Sequence, residues 1–118
     1  MRVRLIKNHS DFPHLSPERE YCVVGLDHES FRVLNDEDEP ILYPKSVFNV
    51  TDAHIDQNWV WERFGDDEYY ANPPELQAPG FYEDFFDGNE EARRQFESYV
   101  RRVGEGRTKP EGRTKPGT

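Results

Sequence analysis

Apolar residues in the first half of the chain fall in short runs divided by polar, Gly- or Pro-containing stretches, the spacing of strands rather than helices. Residues 3–6 (VRLI) form a candidate edge strand, closed off by the polar, Pro-containing stretch 8–17. Residues 21–27 and 31–36 flank the polar turn 27–30 and read as a hairpin. The acidic cluster 36–40 makes the next turn, Ile41-Leu42-Tyr43 and 47–50 are two further strands around Pro44-Lys45-Ser46, and 59–64 supplies another candidate. Strands this short, recurring about every ten residues with Pro only at their ends, predict a mainly β (α+β) fold: a small SH3-like antiparallel barrel or bent sheet.

The pattern changes after residue 87. Asp87 and Glu90 have capping-box spacing, and Ala92, Phe96, Tyr99, Val100 and Val103 then recur at helical intervals. Glu91, Arg94, Glu97 and Arg101 occupy the opposite, solvated face. One C-terminal helix is therefore expected, packed on the sheet and closing its core.

Charge sharpens the organisation. The 118 residues carry 24 acidic and 15 basic side chains, a net −9. Residues 101–118 hold six basic and two acidic residues, +4, which leaves −13 on residues 1–100. Residues 105–116 read EGRTKP twice without an apolar side chain, a composition that cannot offset the entropy of ordering. The expected organisation is one acidic globular domain over 1–103 and a disordered basic tail over 104–118. A single Cys22 permits no internal disulfide, no stretch approaches the ~20 apolar residues of a membrane span, and Arg2, Arg4 and Lys7 interrupt any leader-like run, so the cytoplasm is the expected location.

Familiar catalytic and ligand motifs fail on spacing. His9, His14, His28 and His54 include no pair of the HExxH kind, and residues 83–88 aligned as a calcium loop would place Phe85 and Arg94 at ligand positions, so neither a metal nor a cofactor is expected. There is no GxSxG elbow, and Cys22 in an apolar strand reads as a small buried hydrophobe. Gly25, Gly65, Gly80 and Gly88 belong to no phosphate-binding loop. Glu83 paired with Asp84 or Asp87 could act as acid and base if aromatic rings desolvated one of them. That is the alternative reading: a small-molecule or enzymatic site at an aromatic pocket.

The densest signal lies between Trp59 and Phe86, which hold nine of the sixteen aromatic residues, seven carboxylates and one basic residue, Arg63. Asn72-Pro73-Pro74 and Ala78-Pro79-Gly80 mark much of this window as loop. Trp59, Phe64, Phe81 and Phe85 are expected to plug the ends of the barrel. Tyr69, Tyr70, Tyr82 and Phe86 are expected at the surface among Asp66, Asp67, Glu68, Glu83 and Asp84, a set of aromatic anchors ringed by charge. Such a surface repels nucleic acid and anionic membranes and suits a basic protein: carboxylates steer it, and rings slow its release.

The runs Glu20-Tyr21-Cys22-Val23-Val24-Gly25-Leu26-Asp27, Phe31-Arg32-Val33-Leu34-Asn35-Asp36, Glu39-Pro40-Ile41-Leu42-Tyr43-Pro44, Trp59-Val60 and Pro79-Gly80-Phe81-Tyr82-Glu83-Asp84-Phe85-Phe86-Asp87-Gly88 resemble a family of small bacterial proteins associated with the immunity proteins of toxin systems. The resemblance spans roughly residues 20–100 and carries no residue roles. It implies a stand-alone bacterial cytoplasmic domain; the acidic, ring-bearing surface adds the expectation of a non-catalytic, immunity- or antitoxin-like module that covers a basic partner.

Overall fold

The computed structural model of the chain describes residues 1–6 and 11–107; His9 and, from position 108 onward, most of the duplicated repeat lie outside the described residues. Among the described residues seven strands form one antiparallel sheet: β1 (Arg2–Leu5), β2 (Glu20–Asp27), β3 (Ser30–Leu34), β4 (Pro40–Pro44), β5 (Phe48–Asp52), β6 (Val60–Arg63) and β7 (Tyr69–Asn72). The five strands expected over 21–64 are present within a few residues of their expected limits. The main path runs β4-β3-β2-β1-β5, and β7 joins β2 and carries β6 on its other side. Among the described residues β4, β5 and β6 each have one strand partner, so the sheet is open rather than a closed barrel.

β2 is the hub. Glu20–Cys22 pair with β1, Val23–Leu26 with β3, and Leu26 and Asp27 with β7. Between Val23 and Gly25 its register against β3 slips by one: Val23 faces Val33, Gly25 faces Arg32 and Leu26 faces Phe31. This bulge resets the side-chain alternation. Tyr21 and Val23 enter the core before it, and Leu26 after it. A Cβ on Gly25 would collide with the side-chain oxygen of Asn72, so glycine here leaves room for that amide against β2.

The core of the sheet joins Val3, Leu5, Leu15, Tyr21, Val23, Leu26, Phe31, Val33, Tyr43, Phe48, Trp59 and Ala71, one contiguous apolar cluster. The acidic turn expected at 36–40 is built on buried Asn35. Its Oδ1 accepts the N–H groups of Glu37 at 2.9 Å and Glu39 at 3.1 Å, while its Nδ2 donates to Tyr43 Oη at 3.1 Å. Asp38 takes the left-handed conformation (φ 61°) that the tight reversal requires.

Two compact units can be distinguished along the chain: Met1–Pro74, which holds the sheet, and a second that begins at Glu75. Pro73 and Pro74 end the strand, and the second unit is helical. It contains α1 (Phe81–Phe86) and α2 (Glu90–Arg107). The helical backbone passes through Gly104, which weakens a helix without stopping it, so the boundary expected at 103 falls inside α2.

The junction of the two helices corrects the expected cap. Gly88 (φ 88°) ends α1, with its N–H donating to Phe85 O at 3.1 Å and the Asn89 N–H to Asp84 O at 3.0 Å, the paired bonds of a Schellman turn. Asn89, not Asp87, caps α2: its Oδ1 accepts the Ala92 N–H at 2.9 Å. Asp87 closes α1 instead. Ala92, Phe96 and Tyr99 are buried on the expected stripe, and Glu91, Arg94, Glu97 and Arg101 are exposed on the expected opposite face.

Candidate functional site

The aromatic-rich window is mostly regular structure, not loop. β6 and β7 form a hairpin closed by residues 64–68, and α1 follows the 3-10 turn Pro74–Leu76. Asn72-Pro73-Pro74 does end a strand, but backbone pairing with β2 and β6 carries that strand up to Asn72. The expected site residues accordingly fall in two units. Asp66, Asp67, Glu68, Tyr69 and Tyr70 belong to the hairpin; Tyr82, Glu83, Asp84 and Phe86 belong to α1.

In the hairpin, Val60 pairs with Asn72, Trp61 with Ala71, Glu62 with Tyr70 and Arg63 with Tyr69. Alternation puts Trp61, Arg63, Tyr69 and Ala71 on one face and Val60, Glu62, Tyr70 and Asn72 on the other. The Trp61 ring lies diagonally across from Tyr69, centroids 5.9 Å apart, and the Phe64 ring lies 5.2 Å from Tyr70. Trp61 is 54% exposed and Phe64 57% exposed. Phe64 is therefore no barrel plug, because it stands where the hairpin turns, beside Gly65-Asp66-Asp67. Trp59 is buried in the core of the sheet, whereas Phe81 and Phe85 are buried within the helical unit, beside Tyr82 and Phe96, and plug no barrel. Tyr69 and Tyr70, expected at the surface, are half-buried beneath the more exposed rings.

The same hairpin carries four carboxylates, Glu62 on the face opposite Trp61 and three in the turn. Glu62, Asp66, Asp67 and Glu68 are all exposed, and Arg63 is the one basic side chain from residue 59 to 86, donating to Asp66 O at 3.3 Å. Tyr70 Oη donates to the Glu62 carboxylate, and this bond, with burial and the Glu62 charge, holds the phenol above its usual pKa. On the other face Tyr69 Oη accepts from Lys45 Nζ at 3.1 Å, and the same ammonium lies 5.3 Å from the Tyr69 ring centre and 5.4 Å from that of Phe31. One ring of the hairpin, Tyr69, thus already holds a cation of the chain itself.

In α1, Phe81 and Phe85 are buried, while Phe86 is 42% exposed. The Tyr82 ring meets Phe81 at 5.1 Å and Phe96 at 6.4 Å, so it joins the internal ring cluster more than it faces solvent. Glu83, Asp84 and Asp87 are exposed, which leaves out the desolvation that an acid/base pair among them requires. Cys22 is half-buried in β2 rather than fully buried. Among the described residues no three His, Cys, Asp or Glu side chains gather so as to hold a metal ion, and no helix is long and apolar enough to cross a membrane.

The most constrained carboxylate lies elsewhere. Asp36 accepts from Tyr21 Oη at 2.7 Å, Ser16 Oγ at 2.8 Å and Arg19 at 2.9 Å, which ties segment 11–19 to the end of β3. Burial alone would raise its pKa, but the hydrogen bonds from Tyr21 and Ser16 and the Arg19 charge outweigh it and hold the carboxyl below its usual value. A depressed folded pKa stabilises above the unfolded value and loses that contribution as pH falls through the folded one. Asp36→Asn is expected to cost about 1–3 kcal/mol at neutral pH. In urea titrations run across pH, the gap between wild type and variant should hold above about pH 5 and shrink below about pH 4. A gap independent of pH would remove the ionic part of this account.

No local pattern marks Trp61 and Phe64 as exposed, since Val60-Trp61-Glu62-Arg63 runs two apolar residues and then two polar ones; their exposure follows from the pairing of β6 with β7. Compared with family models, with curated proteins and with solved structures, the chain finds no match in any of the three.

Proposed function

We propose that the protein is a non-catalytic acidic binding module that captures a basic protein partner on the β6–β7 hairpin. One observation carries this reading: two large rings, Trp61 and Phe64, stand more than half exposed at 54% and 57% on a hairpin that carries four exposed carboxylates. Rings of this size left in water by a small domain are natural anchors, and carboxylates on the same hairpin exclude an anionic partner and steer a cationic one. Tyr69 and Tyr70 support the rings from below, and Asp66, Asp67 and Glu68 form the rim. Tyr82, Glu83, Asp84 and Phe86 drop out of this version of the site. An SH3-like character for the sheet, with its short strands and long shared β2, belongs to the same reading. So does an immunity- or antitoxin-like role in the cytoplasm, in which the carboxylates stand in for the phosphates of a basic partner's substrate.

The test is retention of partners from the source cell's lysate by the full chain at low and high salt, with Trp61→Ala and Phe64→Ala beside it. A basic protein held at low salt, released at high salt and bound about 30-fold more weakly by Trp61→Ala, equivalent to about 2 kcal/mol, is the expected result. Retention that neither substitution changes, or retention of acidic proteins only, would overturn the reading.

A further inference from the structure

The three open edges of the sheet are not equivalent, and backbone hydrogen-bond parity shows why. Along β4, the Lys45 N–H donates to Glu29 O at 2.9 Å and the Asn35 N–H to Glu39 O at 3.1 Å. The register between these bonds makes Val33–Ile41 and Phe31–Tyr43 the hydrogen-bonded pairs. Residues 40, 42 and 44 therefore point outward, and two of them, Pro40 and Pro44, have no N–H to offer. β5 is interrupted by a bulge, since Val3 faces Val50 while Arg2 faces Asp52. Prolines and bulges are two of the devices that keep a sheet edge from accepting another strand.

β6 has neither device. The Phe64 N–H donates to Glu68 O at 3.1 Å, and continuing the register makes Glu62–Tyr70 and Val60–Asn72 the hydrogen-bonded pairs. An independent bond agrees: the His28 N–H donates to Tyr69 O at 3.1 Å, so Tyr69 and Ala71 turn to β2 and leave Tyr70 and Asn72 for β6. It follows that the N–H and C=O groups of Trp61 and Arg63 point away from β7. These outward groups belong to exposed residues.

We propose that this edge binds an extended cationic segment of the partner by strand addition, with the Trp61 and Arg63 backbone as its hydrogen-bonding template. The inference rests on the binding-module reading and specifies its geometry and its ligand. Main-chain bonds supply the affinity, and alternate side chains of the added strand reach the two faces of the hairpin. On the Glu62 face, the carboxylate and the turn carboxylates Asp66, Asp67 and Glu68 select Lys or Arg. On the opposite face Arg63 repels a cation, and the Trp61 ring takes an apolar or β-branched residue. A second copy of this chain is a poor occupant. In the symmetric register that pairs Trp61 with Arg63 of the other copy, the two Glu62 side chains would stand directly opposite, and each chain carries −9.

The experiment is amide hydrogen exchange by NMR on the full chain, alone and with the peptide acetyl-Lys-Val-Lys-Val-Lys-amide. In the free protein the Trp61 and Arg63 amides should exchange fast while those of Glu62 and Phe64 are protected; the peptide should slow Trp61 and Arg63 about tenfold or more and leave the other two unchanged. Arg63→Pro deletes one outward donor without touching the β6–β7 bonds. It should weaken peptide binding about tenfold beyond Arg63→Ala, with retained protection at Glu62 and Phe64 reporting an intact hairpin. Shifts at the Trp61 indole without protection of the Trp61 and Arg63 amides would overturn strand addition and leave the acidic binding surface standing. No change anywhere on the hairpin would overturn both. Slow exchange at Trp61 and Arg63 without peptide, together with concentration-dependent sedimentation as a dimer, would assign the edge to a second copy and overturn the proposal.

Discussion

Replacing Phe31 with alanine is expected to lower the unfolding free energy by about 3–5 kcal/mol, read as a shifted urea midpoint at unchanged slope. The ring is 6% exposed at the centre of the sheet, where Phe31 pairs with Leu26 on one side and Tyr43 on the other. It packs 6.1 Å from the Phe48 ring and lies under the Lys45 ammonium. Truncation would open a cavity lined by two strands that cannot collapse without breaking their ladders. It would also leave the ammonium with Tyr69 alone. Trp61→Ala removes a larger side chain yet should cost no more than about 1.5 kcal/mol, mainly its contact with Tyr69. The two substitutions thus divide the aromatic residues by role: one ring holds the sheet together, and the other is free to hold a partner. A loss below about 1 kcal/mol for Phe31→Ala would mean that the core identified here is not the one that stabilises the sheet.

The parts of this structure that were legible in the sequence are those where local pattern and tertiary pairing agree. Residues 41–43 between two prolines, and the run from Ala92 to Val103, could be read because one period dominates each. Three features escaped for distinct physical reasons. β7 was hidden by Asn72-Pro73-Pro74, since Pro restricts the residue before it to extended backbone, which is as compatible with a strand as with a loop. The cap of α2 was misplaced by two residues because Asp87 and Asn89 are both good caps; the left-handed Gly88 settles the choice by ending α1 first. The bulge in β2 left no mark in the pattern, because Val23, Val24, Gly25 and Leu26 are apolar or small at every position. For the site, acidity and aromatic density were visible. Which rings face solvent was not, because that depends on pairing between residues eight and ten apart in sequence, Glu62 with Tyr70 and Trp61 with Ala71.

Phe96→Ala should destabilise the helical unit by about 3–5 kcal/mol, and the loss should fall first on α1. α1 has six residues, too few to be stable on propensity, and its start at Gly80 offers no side-chain cap. What holds it is ring packing. Phe85 meets Phe96 at 5.0 Å with planes 64° apart, an edge-to-face contact, and Tyr82 meets the same ring at 6.4 Å. The Arg93 guanidinium covers Phe85 from 4.3 Å. Phe96 is 3% exposed and is the side chain of α2 that both of these α1 rings touch. Without it, the Schellman turn at Gly88 and the Asn89 cap still favour the junction, but they fix only its geometry and bury little apolar surface. Amide exchange should therefore show the α1 amides losing protection while the centre of α2 retains part of its own, and Phe96→Leu, which refills most of the volume, should restore α1 to within about 1.5 kcal/mol. Equal loss of protection along both helices would mean that they open together, and that α1 is held by more than the rings it shares with α2.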